Sequence, residues 1–199
     1  MTTLRHSDDE RSTADRLLDA ARDTVLSIGW KRTTLTEVAR RAGVSRMTVY
    51  RTYADMPALF GDLMTREWAA IAGRVPAGDV EAGAWPDEIA ASLVGVVTAL
   101  REDELFRRIV DVDPELVLPY VLDRRGRTQD ALLALLADRI GQGQHAGGVR
   151  GGDPVLLGRS LLLAAQGYLL SAHTMADGGV DLPALDRELH ELVRRYLAP

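Results

Sequence analysis

Apolar residues recur at spacings of three and four along most of the chain, whereas alternation at every second residue is nearly absent. Spacings of three and four place side chains on one face of an α-helix, while a half-buried strand needs a period of two. The first such face is formed by Leu18, Ala21, Val25 and Ile28. The pattern therefore predicts an all-α protein.

Capping residues and glycines divide the first seventy residues into predicted helices. Ser12 and Asp15 resemble a capping box that starts the first helix, and Gly29 is expected to end it in a left-handed conformation. Trp30 is expected to pack into the core directly after it. Three more helices are predicted at residues 34–42, 45–53 and 55–73.

Beyond residue 74 the sequence RVPAGDVEAGAWP predicts a loop, because it is rich in glycine, alanine and proline. Pro119 and Gly126 are expected to kink or split the third of the helices that follow. The segment GQGQHAGGVRGGD at 141–153 has six glycines in thirteen residues and predicts a flexible connector. The five helices are predicted at residues 86–101, 104–112, 114–142, 153–176 and 182–197.

The composition, 46% hydrophobic and 27% charged, is typical of a globular protein. The net charge of −5 argues against nucleic-acid binding until its distribution is considered. Residues 31–53 carry six basic side chains against one acid, Glu37, and such a local excess can bind phosphate. A solvated basic face is the alternative. The six basic residues are Lys31, Arg32, Arg40, Arg41, Arg46 and Arg51.

The sequence also bears on location and on sites of chemistry. The absence of cysteine excludes disulfides, thiolate catalysis and cysteine-based zinc sites. The polar start MTTLRHSDDER predicts no secretory signal. The apolar stretch SLLLAAQGYLLSAHTM is interrupted by Gln166 and His173, so it predicts a buried helix and no membrane span. We therefore expect a cytoplasmic protein.

Residues 34–53 have the parts of a helix-turn-helix, which needs two short helices, a tight turn and apolar residues that fix their angle. Thr34 with Glu37 caps the first helix, Gly43 makes the turn, and Val44 and Val49 anchor the second helix.

The remaining face of the second helix suits DNA. Arg46 or Arg51 can pair with the O6 and N7 atoms of guanine, and Met47 can contact a thymine methyl. Tyr50 and neighbouring threonine hydroxyls can donate to phosphate, as can the backbone N–H groups of the helix start at Ser45.

Residues 14–60 closely resemble the N-terminal domain of the TetR family of bacterial transcriptional regulators. The similar elements are LLDAA in the first helix, then GW, and then TTLTEVARRAGVSRMTVYRTYADMPAL. One departure is Met56, where the family usually has a lysine that contacts phosphate, so we expect no side-chain contact there. Together with Ser45, the positions that the resemblance assigns to operator contact are Thr34, Thr36, Arg46, Met47, Thr48, Tyr50, Arg51 and Thr52.

The resemblance implies two domains. Residues 1–54, with an ordered core from residue 12, would form the helix-turn-helix domain. Residues 55–199 would form a ligand-binding and dimerisation domain, with helix 55–73 as the connection. The implied function is a repressor that a small-molecule inducer releases from a palindromic operator. The alternatives are an activator, a ligand-independent DNA-binding protein of the same fold, and a helical enzyme.

The C-terminal helices predict a homodimer, because helix 154–176 is apolar nearly all round and the last helix carries an apolar stripe. The predicted interface residues are Leu161, Tyr168, Leu185, Leu189, Leu192 and Tyr196. The family resemblance also implies an effector pocket, with a hydrophobic ligand favoured by the aliphatic composition. For each pocket candidate, plain core packing is the stronger interpretation. The candidates are Leu93, Val97, Phe106, Ile109, Tyr120, Gln166, Tyr168 and His173.

No metal site, cofactor or catalytic group is predicted. The sequence DVDPE at 111–115 lacks the glycine and the distal glutamate of a calcium loop, and Asp113 as an N-cap before Pro114 explains it better. The four histidines lack metal-ligand spacing.

Overall fold

The computed structural model describes residues 3–74 and 82–199, with side chains for 13–74 and 83–199. Within these ranges the chain forms α-helices and short 3-10 turns and no strand, which confirms the predicted all-α fold. The predicted loop after residue 74 falls mostly on 75–81, outside the described residues. The helices are α1 (Thr3–Ile28), α2 (Leu35–Ala42), α3 (Arg46–Thr52), α4 (Met56–Ala72), α5 (Trp85–Glu102), α6 (Glu104–Val112), α7 (Leu118–Leu122), α8 (Arg127–His145), α9 (Pro154–Ser171) and α10 (Leu182–Leu197).

The chain divides into two compact units. Unit 1 comprises the chain up to Glu67 together with Glu104–Arg124, and unit 2 comprises Trp68–Asp103 and Arg125–Pro199. The division falls within α4, and the segment 104–124 is grouped with the N-terminal helices. The predicted domain boundary between residues 54 and 55 stays a prediction.

The core of unit 1 is formed by the apolar faces of its helices. Helix α1 starts at Thr3, earlier than the capping box at Ser12 predicted, and it ends before Gly29 as expected. Gly29 has φ +80°, and its N–H donates to the Val25 carbonyl at 2.9 Å. The largest fully buried side chains of this core are Leu17, Val25, Val38, Val49, Leu59, Leu63, Leu105 and Ile109.

Unit 2 is built on α5, which packs against α9 and α10, and α8 packs on α9. Helix α9 buries one face through Leu157, Leu161 and Ala165, while Leu156 and Leu163 on its other side are exposed. The main buried cluster consists of Trp85, Ile89, Ala90, Val97, Ile140, Val149, Leu157, Leu161, Ala165, Leu189, Val193 and Leu197.

The long predicted helix 114–142 is split, as Pro119 and Gly126 suggested. A 3-10 turn at Pro114–Leu116 is followed by α7, and α8 begins after Gly126 as its N-cap. Helix α9 is shorter than predicted, because it ends at Ser171 and a 3-10 turn follows at Ala172–Met175.

The prediction of a flexible connector at 141–153 is wrong for its first five residues, which belong to α8. Gly143 is buried, and a Cβ built on it would lie 2.5 Å from Val149 Cγ2 and 3.2 Å from the Trp85 ring. Arg150 ties the following turn to α10, since its Nε donates to the Tyr196 carbonyl at 2.6 Å. Close packing of two chain segments requires glycine at Gly143, whereas a Cβ built on Gly141, Gly147 or Gly151 would meet nothing within 4 Å.

Candidate nucleic-acid interface

The connection between α2 and α3 has the geometry of a helix-turn-helix. Thr34 caps α2, because its Oγ1 accepts from the Glu37 N–H at 3.2 Å. Gly43 has φ +65° and ends α2 in the left-handed region, which disfavours a side chain. Ser45 caps α3 by accepting from the Thr48 N–H at 3.1 Å. Val49 is fully buried and holds α3 on the unit 1 core, so the opposite face of α3 is turned to solvent.

That outer face of α3 carries two arginines and two large side chains. Met47 is 79% exposed and Tyr50 is 54% exposed, unusually high values for side chains of their size. Arg46 and Arg51 are also exposed. At 3.6 residues per turn these four positions span roughly 140° of the helix circumference. Exposed apolar and cationic groups side by side are what contact with base edges requires.

The basic residues of 31–53 differ in how far their charge is compensated. Glu37 accepts from Arg40 Nε at 2.9 Å and from Arg40 Nη2 at 2.6 Å, and it also accepts from Arg41 at 3.3 Å. The hydrogen bond from Arg40 lowers the pKa of Glu37 to about 2, so this carboxylate is ionised at neutral pH. Lys31 pairs with Glu115 at 2.8 Å.

Three of the six cations are therefore paired with a carboxylate, although Arg40 and Arg41 share the single charge of Glu37. The other three are exposed, and none of them has a hydrogen bond or an ion pair in the described part of the chain. These uncompensated cations are Arg32, Arg46 and Arg51. The unpaired positive charge therefore lies on α3 and on Arg32, just before α2. This positive surface is smaller than the count of six basic residues predicted.

The hydroxyl groups predicted to contact phosphate differ in whether their proton is already used in a hydrogen bond within the protein. The Thr34 hydroxyl accepts from the backbone, so its own proton remains able to reach a phosphate. Ser45 Oγ lies 2.9 Å from Thr48 Oγ1, and either can donate. Thr52 Oγ1 donates to the Thr48 carbonyl at 3.0 Å, so it must break that bond before it can donate to phosphate. Thr36 is half-buried on α2.

The start of α4 follows the predicted capping. Asp55 Oδ1 accepts from the Ala58 N–H at 2.8 Å, and Pro57 lies in the first turn. Met56 is half-buried. Further along α4, the Phe60 ring packs on the Trp30 ring with centroids 4.6 Å apart, which fixes the corner between α1 and α2.

Two polar contacts of this unit were missed by the sequence reasoning. Arg16 Nη2 on α1 donates to the Ala42 carbonyl at 2.7 Å and so satisfies the end of α2. Asp113 holds the predicted N-cap position before Pro114, at the start of the 3-10 turn Pro114–Leu116, but its side chain makes no capping hydrogen bond there. Its Oδ2 instead accepts from the Trp30 N–H at 2.8 Å. No local pattern identifies either contact, because the partners are 26 and 83 residues apart.

Comparison with known proteins fits this geometry. A family model described as bacterial regulatory proteins, tetR family, matches residues 17–63. An uncharacterized HTH-type transcriptional regulator of Mycobacterium bovis is 36% identical over 195 residues, which is 98% of this chain and 99% of that protein. The chain belongs to the TetR family. It is therefore a DNA-binding transcriptional regulator and not an enzyme.

Solved structures support the fold of this TetR-family regulator. The R. erythropolis transcriptional repressor QsdR from the TetR family has a TM-score of 0.62 at 16% identity, covering 93% of this chain and 94% of its own. The protein in a SmeT–triclosan complex has a TM-score of 0.61 at 20% identity, covering 94% of this chain and 92% of its own.

The predicted effector-pocket residues are divided between the two units. Leu93, Val97 and Tyr168 pack in or against the core of unit 2, Gln166 is half-buried on α9, and His173 is exposed. The remaining three candidates belong to unit 1. They are Phe106, Ile109 and Tyr120.

The predicted interface residues also differ in exposure. Leu161 and Leu189 are 1% and 0% exposed and lie in the unit 2 core, so they offer no surface to a second chain. Leu185, Tyr168 and Tyr196 are half-buried. Leu192 is 47% exposed.

Two other features of the described residues bear on function. They contain no cluster of three or more histidine, aspartate or glutamate side chains able to hold a metal ion. The helical stretch Pro154–Met175 is long and apolar enough to cross a membrane by length and composition. This is weak evidence for a membrane span, because α9 buries one face in the core of unit 2.

Proposed function

We propose that this TetR-family regulator is a cytoplasmic, ligand-responsive repressor. Two copies of the chain bind a palindromic operator, and a small hydrophobic inducer releases them. The outer face of α3 is the observation that supports sequence-specific binding to DNA. There Arg46, Met47, Tyr50 and Arg51 are exposed, and the two arginines have no partner in the described chain.

In the proposed complex each α3 lies in a major groove. Arg46 or Arg51 donates to guanine, Met47 contacts a thymine methyl, and Tyr50 donates to phosphate. The hydroxyls of Thr34, Ser45 and Thr48, together with Thr36 and Thr52, contact the flanking backbone. Two α3 helices about 34–36 Å apart would occupy successive grooves on one side of the duplex.

Exposed leucines on neighbouring helices support the proposed dimer. Leu156 and Leu163 on α9 are 60% and 69% exposed, they lie seven residues apart on one face, and Leu192 on α10 is 47% exposed. A second copy would cover them by forming a four-helix contact of α9 and α10 with their symmetry mates. Leu185, Tyr168 and Tyr196 would flank this contact.

Light scattering tests the dimer. The wild-type chain should have twice the monomer mass at micromolar concentration, and Leu163→Glu should shift it toward the monomer. Leu122→Glu is a matched control, because Leu122 is 72% exposed but lies on α7 in unit 1. A monomeric wild type, or equal dissociation by both substitutions, would contradict the interface.

Release by an inducer is proposed from the triclosan complex of the structural neighbour SmeT and from the family. Ligand binding in residues 55–199 would move α4 and change the separation of the two α3 helices. A ligand that binds one of two states more tightly shifts the population toward that state. The proposed lining combines the aliphatic Leu93 and Val97 with the polar Gln166, Tyr168 and His173.

Two alternatives of the same fold are an activator and a ligand-independent regulator. A reporter fused to the bound promoter distinguishes repression from activation. A thermal-shift screen of small hydrophobic compounds tests for an effector, because a ligand that binds the native state raises the melting temperature. No stabilisation together with undiminished DNA binding would favour the ligand-independent alternative.

A gel-shift titration on the DNA upstream of the protein's own gene tests the operator claim. Arg46→Ala should cost about 1–3 kcal/mol and relax the preference at one base pair, while Tyr50→Phe should weaken binding to all sequences equally. Arg187→Ala is the control for net charge, because Arg187 is an exposed arginine on α10 in unit 2. Equal losses for Arg46→Ala on specific and scrambled duplexes would contradict its role in base contact.

A further inference from the structure

The corner between α1 and α2 is held by a side chain from far along the chain. Asp113 follows α6 directly and is 1% exposed. Its Oδ2 accepts from the Trp30 backbone N–H at 2.8 Å, although the two residues are 83 positions apart. A buried polar side chain needs such a partner, because it has lost its hydrogen bonds to water.

The corner itself cannot supply this acceptor. Trp30 is the first residue of the 3-10 turn Trp30–Arg32, and the residue in the N-cap position is Gly29, which has no side chain. A Cβ built on Gly29 would lie 3.5 Å from Asp113 Oδ2 and 3.8 Å from Val112. These are ordinary contact distances, so the end of α6 lies directly against Gly29, and Asp113 caps the turn in place of a local residue.

A second contact joins the same two segments. Lys31 Nζ lies 2.8 Å from Glu115 Oε1, and these side chains are 67% and 47% exposed. Exposed ion pairs stabilise proteins little. The buried hydrogen bond from Trp30 to Asp113 is therefore the stronger of the two, and Glu115 provides a matched site at which a carboxylate can be altered with little effect.

The position of the turn Trp30–Arg32 is coupled to helices α2 and α3 by hydrogen bonds between neighbouring residues. Thr33 is buried, its Oγ1 donates to the Gly29 carbonyl at 2.8 Å, and its N–H donates to the Trp30 carbonyl at 2.9 Å. The next residue, Thr34, caps α2. Helix α2 packs on α3, so a displaced corner would reorient the face that carries Arg46.

We propose that Asp113 is a positioning residue for the DNA-binding surface, which it orients through the Trp30 N–H without contacting DNA. This proposal rests on the proposed function. The position of the acceptor oxygen, and not its charge, orients the DNA-binding surface. An uncharged acceptor at the same position should therefore maintain DNA binding, and a displaced carboxylate should not.

Two substitutions separate charge from geometry. Asp113→Asn removes the charge and keeps an oxygen at the same distance from the backbone. Asp113→Glu keeps the charge and moves the oxygens outward by one methylene into a fully packed site. The binding of each variant to a duplex selected with the wild-type protein is measured by fluorescence anisotropy over a range of salt concentrations. Glu115→Gln is the control.

Asp113→Glu should weaken binding about tenfold, the equivalent of one lost hydrogen bond. Asp113→Asn and Glu115→Gln should stay within about twofold of the wild type, since an amide oxygen still accepts and an exposed ion pair contributes little. The slope of log affinity against log salt should be the same for all, because no phosphate contact is lost. The Trp30 amide resonance should shift in the Glu variant and stay near its wild-type position in the Asn variant.

Several results would overturn the proposal. One is wild-type affinity in Asp113→Glu with a displaced Trp30 amide, which would show that the contact does not position the surface. Loss of affinity in Asp113→Asn without movement of that amide would show that charge matters. A reduced salt slope would indicate direct phosphate involvement. If the wild-type protein selects no duplex, the proposed function has failed, and this outcome is distinct from a difference between variants.

Discussion

Gly143→Ala should destabilise unit 2 although it replaces glycine by the best helix former. The added Cβ would lie 2.5 Å from Val149 Cγ2 and 3.2 Å from two atoms of the Trp85 ring. Val149 is 5% exposed and Trp85 is 7% exposed, so neither side chain has open space to move into. Overpacking a filled core costs about 1–3 kcal/mol.

Gly141→Ala on the same helix is the matched control, because a Cβ built there meets nothing within 4 Å. Both substitutions gain helix propensity of about 1 kcal/mol over glycine, so this term cancels between them. The difference between the two variants therefore isolates the packing cost of about 1–3 kcal/mol. At this chain length each kcal/mol shifts the melting temperature by about 2–4 °C.

The assay is thermal unfolding followed by circular dichroism and tryptophan fluorescence at one protein concentration. Gly141→Ala should melt above the wild type, and Gly143→Ala should melt clearly below Gly141→Ala. Equal stabilisation by both substitutions would refute the packed arrangement and favour the flexible connector that the glycine content predicts.

Three further predictions follow from single contacts. Gly43→Ala should cost about 1–2 kcal/mol in urea unfolding, because φ is +65° there, and an unchanged midpoint would contradict the left-handed turn. Arg101 Nη2 donates to Asp186 Oδ1 at 2.6 Å, and both side chains are only 15% exposed. Asp186→Ala should therefore lower the free energy of unfolding by about 3 kcal/mol, because it leaves the Arg101 charge buried without its carboxylate. Arg40 lowers the pKa of Glu37 from 4.5 to about 2. The ion pair between them therefore stabilises the folded state fully above about pH 4.5, and this stabilisation is lost as the pH falls toward 2. Glu37→Gln should flatten the acid-side loss of stability in that window, and an unchanged acid limb would contradict the ion pair.

Local signals predicted the helix-turn-helix well. Thr34, Gly43 and Ser45 act within four residues of their positions, so capping and turn rules apply to them directly, and the structure agrees. The exposed face of α3 follows from the single buried residue Val49 and the helical period.

Contacts between distant segments could not be predicted in the same way. The sequence around Asp113 indicates a local cap, and the actual donor is Trp30, which only the packing of α6 brings within reach. The charge count of 31–53 includes Lys31, whose partner Glu115 lies on a later segment. The apolar pattern of α9 and α10 could not separate Leu161 and Leu189, which are buried in the chain itself, from leucines that remain exposed.

The central claim is that α3 of this chain contacts specific base pairs in a symmetric operator. In vitro selection from a random duplex library, with the wild-type protein at low and moderate salt, tests it most directly. We expect enrichment of one inverted repeat, and we expect Arg46→Ala to lose the preference at a single position in each half-site. Recovery of no common sequence at any salt concentration, or of the same repeat unchanged with Arg46→Ala and Arg51→Ala combined, would contradict the claim.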